Sequence, residues 1–437
     1  MASAMVRLLL DFARDPTGML QRIARDSGDV AFFRFGHLDE VLVSHPDLVE
    51  QVLVTQQRLF SKGRALQEAK RVLGEGLLTS EGDPHLSHRR LIQPLFHQRA
   101  IGGYADEMVA ITDRLQQGWK EGETLDLHEE MMRLTLAIVA RTVFDADIQG
   151  EAREVGAALT AVIEVLSHRL VLPFGSLLYR LPVPATRRFA RSRQRLDRTI
   201  DAMIGERRRS GLGGTDLLSL LLAAGEGDER MSDRQVGDEA MTILLASHET
   251  TAVWLTWTLM VLAQRADLEA AVRAELAAVV GDRPPRLEDL PALELTDRVL
   301  HESLRLYPPV WLIGRRTLAV VELGGHVVPA GTIVVLSQWV VHRDPRWYPQ
   351  PERFDPDRWL PAAVEARPRF AFFPFGGGTR RCIGEGFAWM EAKLVLATLL
   401  RHWRFTLNRP GTVRLAPRIT LRPRGGMPVT LRRASHP

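Results

Sequence analysis

The chain has 437 residues, 45% hydrophobic and 25% charged, with a formal net charge of +4. That is the balance of an ordinary globular protein, long enough to bury a large core. One cysteine excludes an intrachain disulfide and any multi-cysteine metal site. The densest basic run, Arg207-Arg208-Arg209, has no stacking aromatics interleaved, which argues against nucleic acid and for solvated helix ends or an acidic protein partner. Residues 6–10 form a short apolar run interrupted by Asp11, too short for a membrane span or a signal-peptide core. The expected location is cytoplasmic, with no membrane anchor and no nucleic acid.

Taken in chain order, residues 31–35 and 40–43 read as a strand pair around a turn at Gly36. From 101 to 262 apolar residues recur at helical spacing. Ser232-Asp233-Arg234-Gln235 has the form of a capping box opening a long helix. Residues 297–307 predict another helix, stopped by Pro308-Pro309 because proline lacks the amide donor. Residues 320–328, a Pro329-Ala330-Gly331 turn and 332–336 make a small β region, and the proline-rich stretch 345–368 reads as an ordered meander. Helix resumes after Cys382. The glycine- and proline-bearing stretches 211–214 and 281–285 read as loops between helices, so the expectation is one domain over 1–437, mainly α with a minor β part.

The lone cysteine lies in Phe373-Pro374-Phe375-Gly376-Gly377-Gly378-Thr379-Arg380-Arg381-Cys382-Ile383-Gly384. Consecutive glycines let a backbone bend tightly and approach a flat group. A helix beginning just after Cys382 would favour a thiolate. A phosphate loop would need Lys-Ser/Thr, which is missing, and a dinucleotide loop counted from Gly376 meets Arg381 where its last glycine belongs.

In the long helix, residues 241–262 are almost wholly apolar except for Ser247-His248-Glu249-Thr250-Thr251. A buried polar run is costly unless its groups are paired or used. A zinc helix would need histidine at 252, where Ala252 stands. The threonines could also bond back to the preceding turn and bend the helix.

The cysteine string resembles the haem-binding signature F-G-x-G-x-R-x-C-x-G of the cytochrome P450 family at Phe375, Gly376, Gly378, Arg380, Cys382 and Gly384. Ala246 to Thr251 resembles that family's A-G-x-[DE]-T-T oxygen-binding stretch, with Ser247 replacing the usual glycine and tightening the groove. Glu302-Ser303-Leu304-Arg305 matches E-x-x-R, and Pro351-Glu352-Arg353-Phe354 matches the segment supplying a third member, Arg353. His85 and Arg89 resemble an early-helix H-x-x-x-R, and Arg315, with Arg316 as neighbour and rival, stands where relatives place a propionate arginine. Arg90 rivals Arg89 in the same way. The ordered set spans roughly residue 20 to the C-terminus.

The resemblance implies the triangular α-rich cytochrome P450 fold and haem b with Cys382 as the iron ligand. Phe375, Gly376, His85, Arg89, Arg315 and Arg380 would hold the cofactor. Thr250 would hydrogen-bond dioxygen, and Glu249 would connect the site to solvent protons. The expected function is a monooxygenase of secondary metabolism that uses O₂ and two electrons on an apolar small molecule such as a terpene, steroid or fatty acyl chain. Electrons would come from a ferredoxin or flavodoxin-type donor with its reductase, docking on Arg380, Arg381, Lys393, Arg401 and Arg404, and the protein would be a monomer. Pocket walls are expected from 62–78, 166–181, 244–251, 310–313 with Trp311, and 419–421. The rivals are non-oxygenating chemistry on the same fold and a haem sensor or carrier.

Overall fold

The computed structural model describes residues 8, 10–36, 38–146, 152–171, 184–210, 216–223, 231–411 and 413–434. The expected loop at 211–214 and most of the expected wall at 166–181 lie outside these residues. Helices dominate, and the sheets are small.

In chain order the longer helices are α1 (Pro16–Ser27), α2 (Arg64–Leu73), α3 (Gly82–Ile92), α4 (Ala105–Gln117), α5 (Leu127–Phe144), α6 (Ala152–Val171), α7 (Pro184–Ser210), α8 (Asp233–Gln264), α9 (Ala266–Val279), α10 (Glu294–Leu306) and α11 (Glu385–His402). The capping box at the start of α8 forms in both directions between Ser232 and Gln235. Its 32 residues give a rod of roughly 48 Å at 1.5 Å per residue. That rod packs along α5 and against α10 and α11, so apolar residues on every face of it are buried. From Asp238 to Leu262 only Ala246, Ser247 and Thr250 are exposed or half-exposed. Positions i, i+1 and i+4 share one helical face, and here that face is open. Helix α10 ends at Leu306, just before the two prolines.

A five-stranded sheet runs in the order β1 (Val30–Phe35), β2 (Leu38–Val43), β5 (Ile333–Leu336), β4 (Ile313–Thr317), β3 (Phe60–Lys62). The β1–β2 pair is antiparallel and closes with Phe35 opposite Leu38, around Gly36. The single β region expected at 320–336 divides in two. Val321–Leu323 and His326–Val328 form their own hairpin, whereas β5 is buried along its whole length and takes an interior place parallel to β2. Lys62 faces Arg315 across the β3–β4 register. The chain after β3 must be glycine, because a Cβ on Gly63 would stand 2.7 Å from the Gly314 carbonyl carbon. At the C-terminal end, β6 (Leu415–Pro417) and β7 (Leu421–Pro423) form a hairpin. It is tied to α8 by the Trp257 indole, which donates to the Leu421 carbonyl at 2.7 Å. Among the described residues no helix is long and apolar enough to cross a membrane.

Candidate active site

The cysteine loop is closed by the Cys382 amide, which donates to the Phe375 carbonyl at 2.9 Å. Gly376 and Gly378 both have positive φ, and a Cβ on Gly378 would overlap the Leu53 carbonyl oxygen. The glycines are therefore demanded twice, by conformation and by contact. Phe375 lies 6.5 Å from Trp254 on α8 and 6.3 Å from Trp389 on α11, so an aromatic layer joins the loop to the two helices flanking it. Two further groups hold the loop. The Phe373 amide donates to His342 Nε2 at 3.0 Å, and the carbonyl of His342 accepts from Arg305 at 2.8 Å.

Cys382 keeps an exposed face. The helix start does not by itself yield the thiolate that the sequence suggests. Burial pushes the thiol up to about 11, against the Gly384 amide and the Arg89 and Arg381 guanidiniums, which pull it down. Such a thiol stays protonated near neutrality unless a metal replaces its proton.

At the end of the five-stranded sheet, four of the charged side chains converge. Lys62 is buried, and its Nζ donates to the carbonyls of Leu77 (3.0 Å) and Ser80 (2.5 Å) and lies 3.4 Å from His85 Nδ1. Burial lowers it to about 7, with Glu81 opposing that shift. Arg315 is also buried, and burial with Arg380 beside it lowers it to about 10. Arg380 donates to Glu81 Oε2 at 2.6 Å and to the Phe60 carbonyl at 2.9 Å. His85 is pushed down by burial and by Lys62, and its Nε2 has no hydrogen-bond partner among the described residues. Two guanidiniums and the Lys62 amine crowd a single carboxylate. Arg316 and Arg90 point outward, whereas Arg89 reaches the cysteine loop and donates to the Arg381 carbonyl at 2.8 Å. Lys62, expected only at the edge of a pocket wall, and Glu81 are absent from the cofactor-holding residues expected from the sequence. The one available signal was a lysine inside an otherwise uncharged strand start.

On α8 the acid and the alcohol part company. Thr250, half-exposed on the open face, back-bonds to the Ala246 carbonyl at 2.9 Å. Glu249 is 3% exposed and turns to the C-terminal hairpin. There its Oε1 accepts from Thr420 Oγ1 and from Arg422 Nε at 2.7 Å.

Glu302 and Arg305, both 0% exposed, form the expected bidentate pair at 2.8 Å in each arm. The third member differs from expectation. Arg353 is exposed and offers only its carbonyl, whereas the turn Pro356–Trp359 carries Arg358 to 3.5 Å and the Trp359 indole to 3.0 Å from the Glu302 carboxylate. Trp311 also departs from its expected place on a pocket wall: it packs with Met19, Leu20 and Leu42 behind the sheet. The five cations expected as a free docking patch are each engaged, Arg380 with Glu81, Arg381 with Glu385, Lys393 with Asp297, Arg404 with Glu269, and Arg401 with the Asp282 carbonyl.

An open thiol on a glycine-built loop, a cation cluster with an unpartnered imidazole nitrogen, and an open face on a buried helix fit one planar dianionic group that carries a metal. The class of protein so defined is a haem-thiolate monooxygenase, with haem b as cofactor. Comparison with known proteins bears directly on this. A sequence profile of the Cytochrome P450 family matches residues 5–427. The chain is 40% identical over 415 residues to Cyclooctatin synthase of Streptomyces melanosporofaciens, covering 94% of this chain and 90% of that one. It is 40% identical over 388 residues to Cyclooctat-9-en-7-ol 5-monooxygenase of the same organism, covering 88% and 84%. Pentalenene oxygenase of Streptomyces avermitilis is 38% identical over 390 residues, covering 89% and 86%. Among solved structures, the cytochrome P450DA heme domain superposes with a TM-score of 0.87 at 27% identity, covering 96% of this chain and 93% of that one. The chain belongs to the cytochrome P450 family.

Proposed function

We propose that this monooxygenase hydroxylates a cyclic terpenoid, with Cys382 as the thiolate ligand of the haem iron. The reading is carried by the three relatives above, whose names concern cyclooctatin, cyclooctat-9-en-7-ol and pentalenene. Apolar candidate walls agree with it: Leu78, Val310, Ile313 and Ile419 are each at least partly exposed and carry no charge.

His85, Lys62, Arg315 and Arg380 would hold the two propionates, and Arg89 would approach from the cysteine-loop side. Haem bound through a thiolate supplies activation of O₂, with two electrons and two protons giving one hydroxylated product and one water. The remaining work belongs to the protein. Thr250 presents its hydroxyl on the open face of α8, where it can exchange its bond to Ala246 for one to dioxygen. Glu249 would relay the proton that restores Thr250, leaving Arg422 to do so. Ser247, next to them, narrows the groove and favours a substrate that does not press on the helix.

Electrons come from a separate acidic ferredoxin or flavodoxin-type donor. A cleft of about 400 Å³ on the outer side of the cysteine loop, lined by Val54, Arg369, Phe370 and Gly377, supports docking there. Arg369 and Arg381 on its lining are exposed. Reversing these charges should slow reduction by an acidic donor. Unchanged reduction by every such donor would dismiss the docking face.

The substrate class is tested by spectral titration of the purified protein against cyclic diterpenes, sesquiterpenes, steroids and fatty acids. A low-to-high-spin shift with the cyclic terpenoids supports the reading. A shift confined to fatty acids contradicts it.

A further inference from the structure

We propose that Glu249 is loaded with protons from behind α8, through a buried polar cluster that Arg422 of the C-terminal hairpin holds in place. The inference rests on the reading of Glu249 as the acid that restores Thr250.

The geometry begins with the direction of the carboxylate. Thr250 lies on the open face of α8, but Glu249 is turned toward the hairpin and is almost fully buried. A buried carboxylate needs a counter-charge, and here it comes from Arg422, 173 positions along the chain and 12% exposed at its side chain. Thr420, two residues before it, adds a second hydrogen bond to the same oxygen, Oε1. Glu249 cannot draw protons from the open face without leaving both partners. Its supply is therefore sought on the side it faces.

Further polar groups lie next to this pair. His248 is fully buried and its Nδ1 donates to the Leu244 carbonyl at 2.8 Å, which leaves Nε2 as an acceptor. That Nε2 has no hydrogen-bond partner among the described residues, whereas Arg422 Nη2 is spent on the ion pair, 2.7 Å from Glu249 Oε1. An unsatisfied imidazole nitrogen next to a buried ion pair is a setting in which buried water is found. Toward solvent stands His128, half-exposed on the first turn of α5 beyond its cap, Asp126, with Nδ1 at 3.4 Å from Thr256 Oγ1. His128 feels Arg422, Glu249, Asp126 and His248 together. Burial, then Arg422, lowers it to about 4, and burial lowers His248 as well. Both imidazoles are thus neutral at physiological pH. A neutral imidazole donates at one nitrogen and accepts at the other, as a proton-passing chain requires, whereas a fixed cation would interrupt it. The hairpin also carries Ile419, 37% exposed, one residue before Thr420. A substrate that displaces this tip would loosen the hold on Glu249.

A purely structural Arg422 would only neutralise Glu249, and the experiment separates the two. The holoenzyme is compared with Arg422→Gln, Arg422→Lys, His128→Phe and Glu249→Gln. Product and hydrogen peroxide are measured per reducing equivalent, with the solvent isotope effect and pH profile of product formation, and the substrate-induced spin shift serves as control. The inference predicts that Arg422→Gln diverts reducing equivalents to peroxide several-fold and enlarges the solvent isotope effect, with the spin shift intact. Arg422→Lys recovers most of the coupling. His128→Phe, which leaves Glu249 and its partners untouched, shows a smaller loss of the same kind and keeps the inference testable should Arg422→Gln not fold. If Glu249→Gln uncouples while Arg422→Gln and His128→Phe behave as wild type, the route is overturned and the role of Glu249 stands. If Glu249→Gln itself stays fully coupled, the reading beneath the inference has failed.

Discussion

Two buried carboxylate–guanidinium pairs in this protein are built in opposite ways. Glu302 and Arg305 are three residues apart on α10, and the Glu302 carboxylate is saturated: Arg305 takes both oxygens, while Arg358, the Asp355 amide and the Trp359 indole add further contacts. Glu249 and Arg422 come from distant segments, and Thr420 and Arg422 both meet the Glu249 carboxylate at Oε1. A saturated carboxylate cannot take a proton without breaking several bonds at once, so it fixes the meander beside the cysteine loop. A carboxylate held by one oxygen can exchange protons at little structural cost. Burial alone, common to both, does not tell structure from function.

The largest contrast is expected between Glu302→Ala and Glu249→Gln. Removing Glu302 leaves Arg305 buried and unpaired, which should cost roughly 3–5 kcal/mol in urea unfolding, with loss of bound haem. Glu249→Gln keeps a hydrogen-bonding side chain against Arg422, which is less buried than Arg305, and should cost only about 1–2 kcal/mol, while coupling collapses. Equal destabilisation of the two would erase the distinction drawn between them.

A smaller effect tests the rigidity of the cysteine side. Gly378→Ala forces a side chain into positive φ against the Leu53 carbonyl, at a cost of about 1–3 kcal/mol on thermal unfolding. A variant as stable as wild type would show that the loop tolerates another backbone path.

Next comes a pH-dependent prediction. Burial raises Asp297, but His301 and Lys393 outweigh it and hold its carboxyl down at about 2. Its folded value is below the unfolded one, so the stability it adds is present above about pH 4 and is lost as pH falls toward 2. Asp297→Asn should therefore be less stable than wild type at pH 6, by roughly 1–2 kcal/mol, and the gap should close on acidification. A gap independent of pH would assign the effect to packing. The smallest effect belongs to Arg353→Ala, expected within about 0.5 kcal/mol of wild type, against a measurable loss for Arg358→Ala.

What could be read from the sequence follows from where the partners lie along the chain. The cysteine loop is a continuous string whose glycines, arginine and thiol act on their neighbours, so it was legible as written. The capping box of α8 and the stop after α10 were legible for the same reason. Lys62, Glu81, His342, Thr420 and Arg422 were not, because each matters through a residue far away or through a strand register. The assignment of Arg353 as third member failed because the meander has no periodicity from which to infer which arginine turns inward; it is Arg358 that does. At Cys382 the helix end that favours a thiolate can be seen in sequence, while the burial that opposes it cannot.

The central claim is that the sulfur of Cys382 binds the haem iron as a thiolate. Its most direct test is the absorption spectrum of the reduced carbonyl complex, for wild type and for Cys382→Ser. The red-shifted Soret band of thiolate ligation should be present in the first and absent from the second. A wild-type protein that binds haem yet lacks that band, or a serine variant that retains it, would contradict the account.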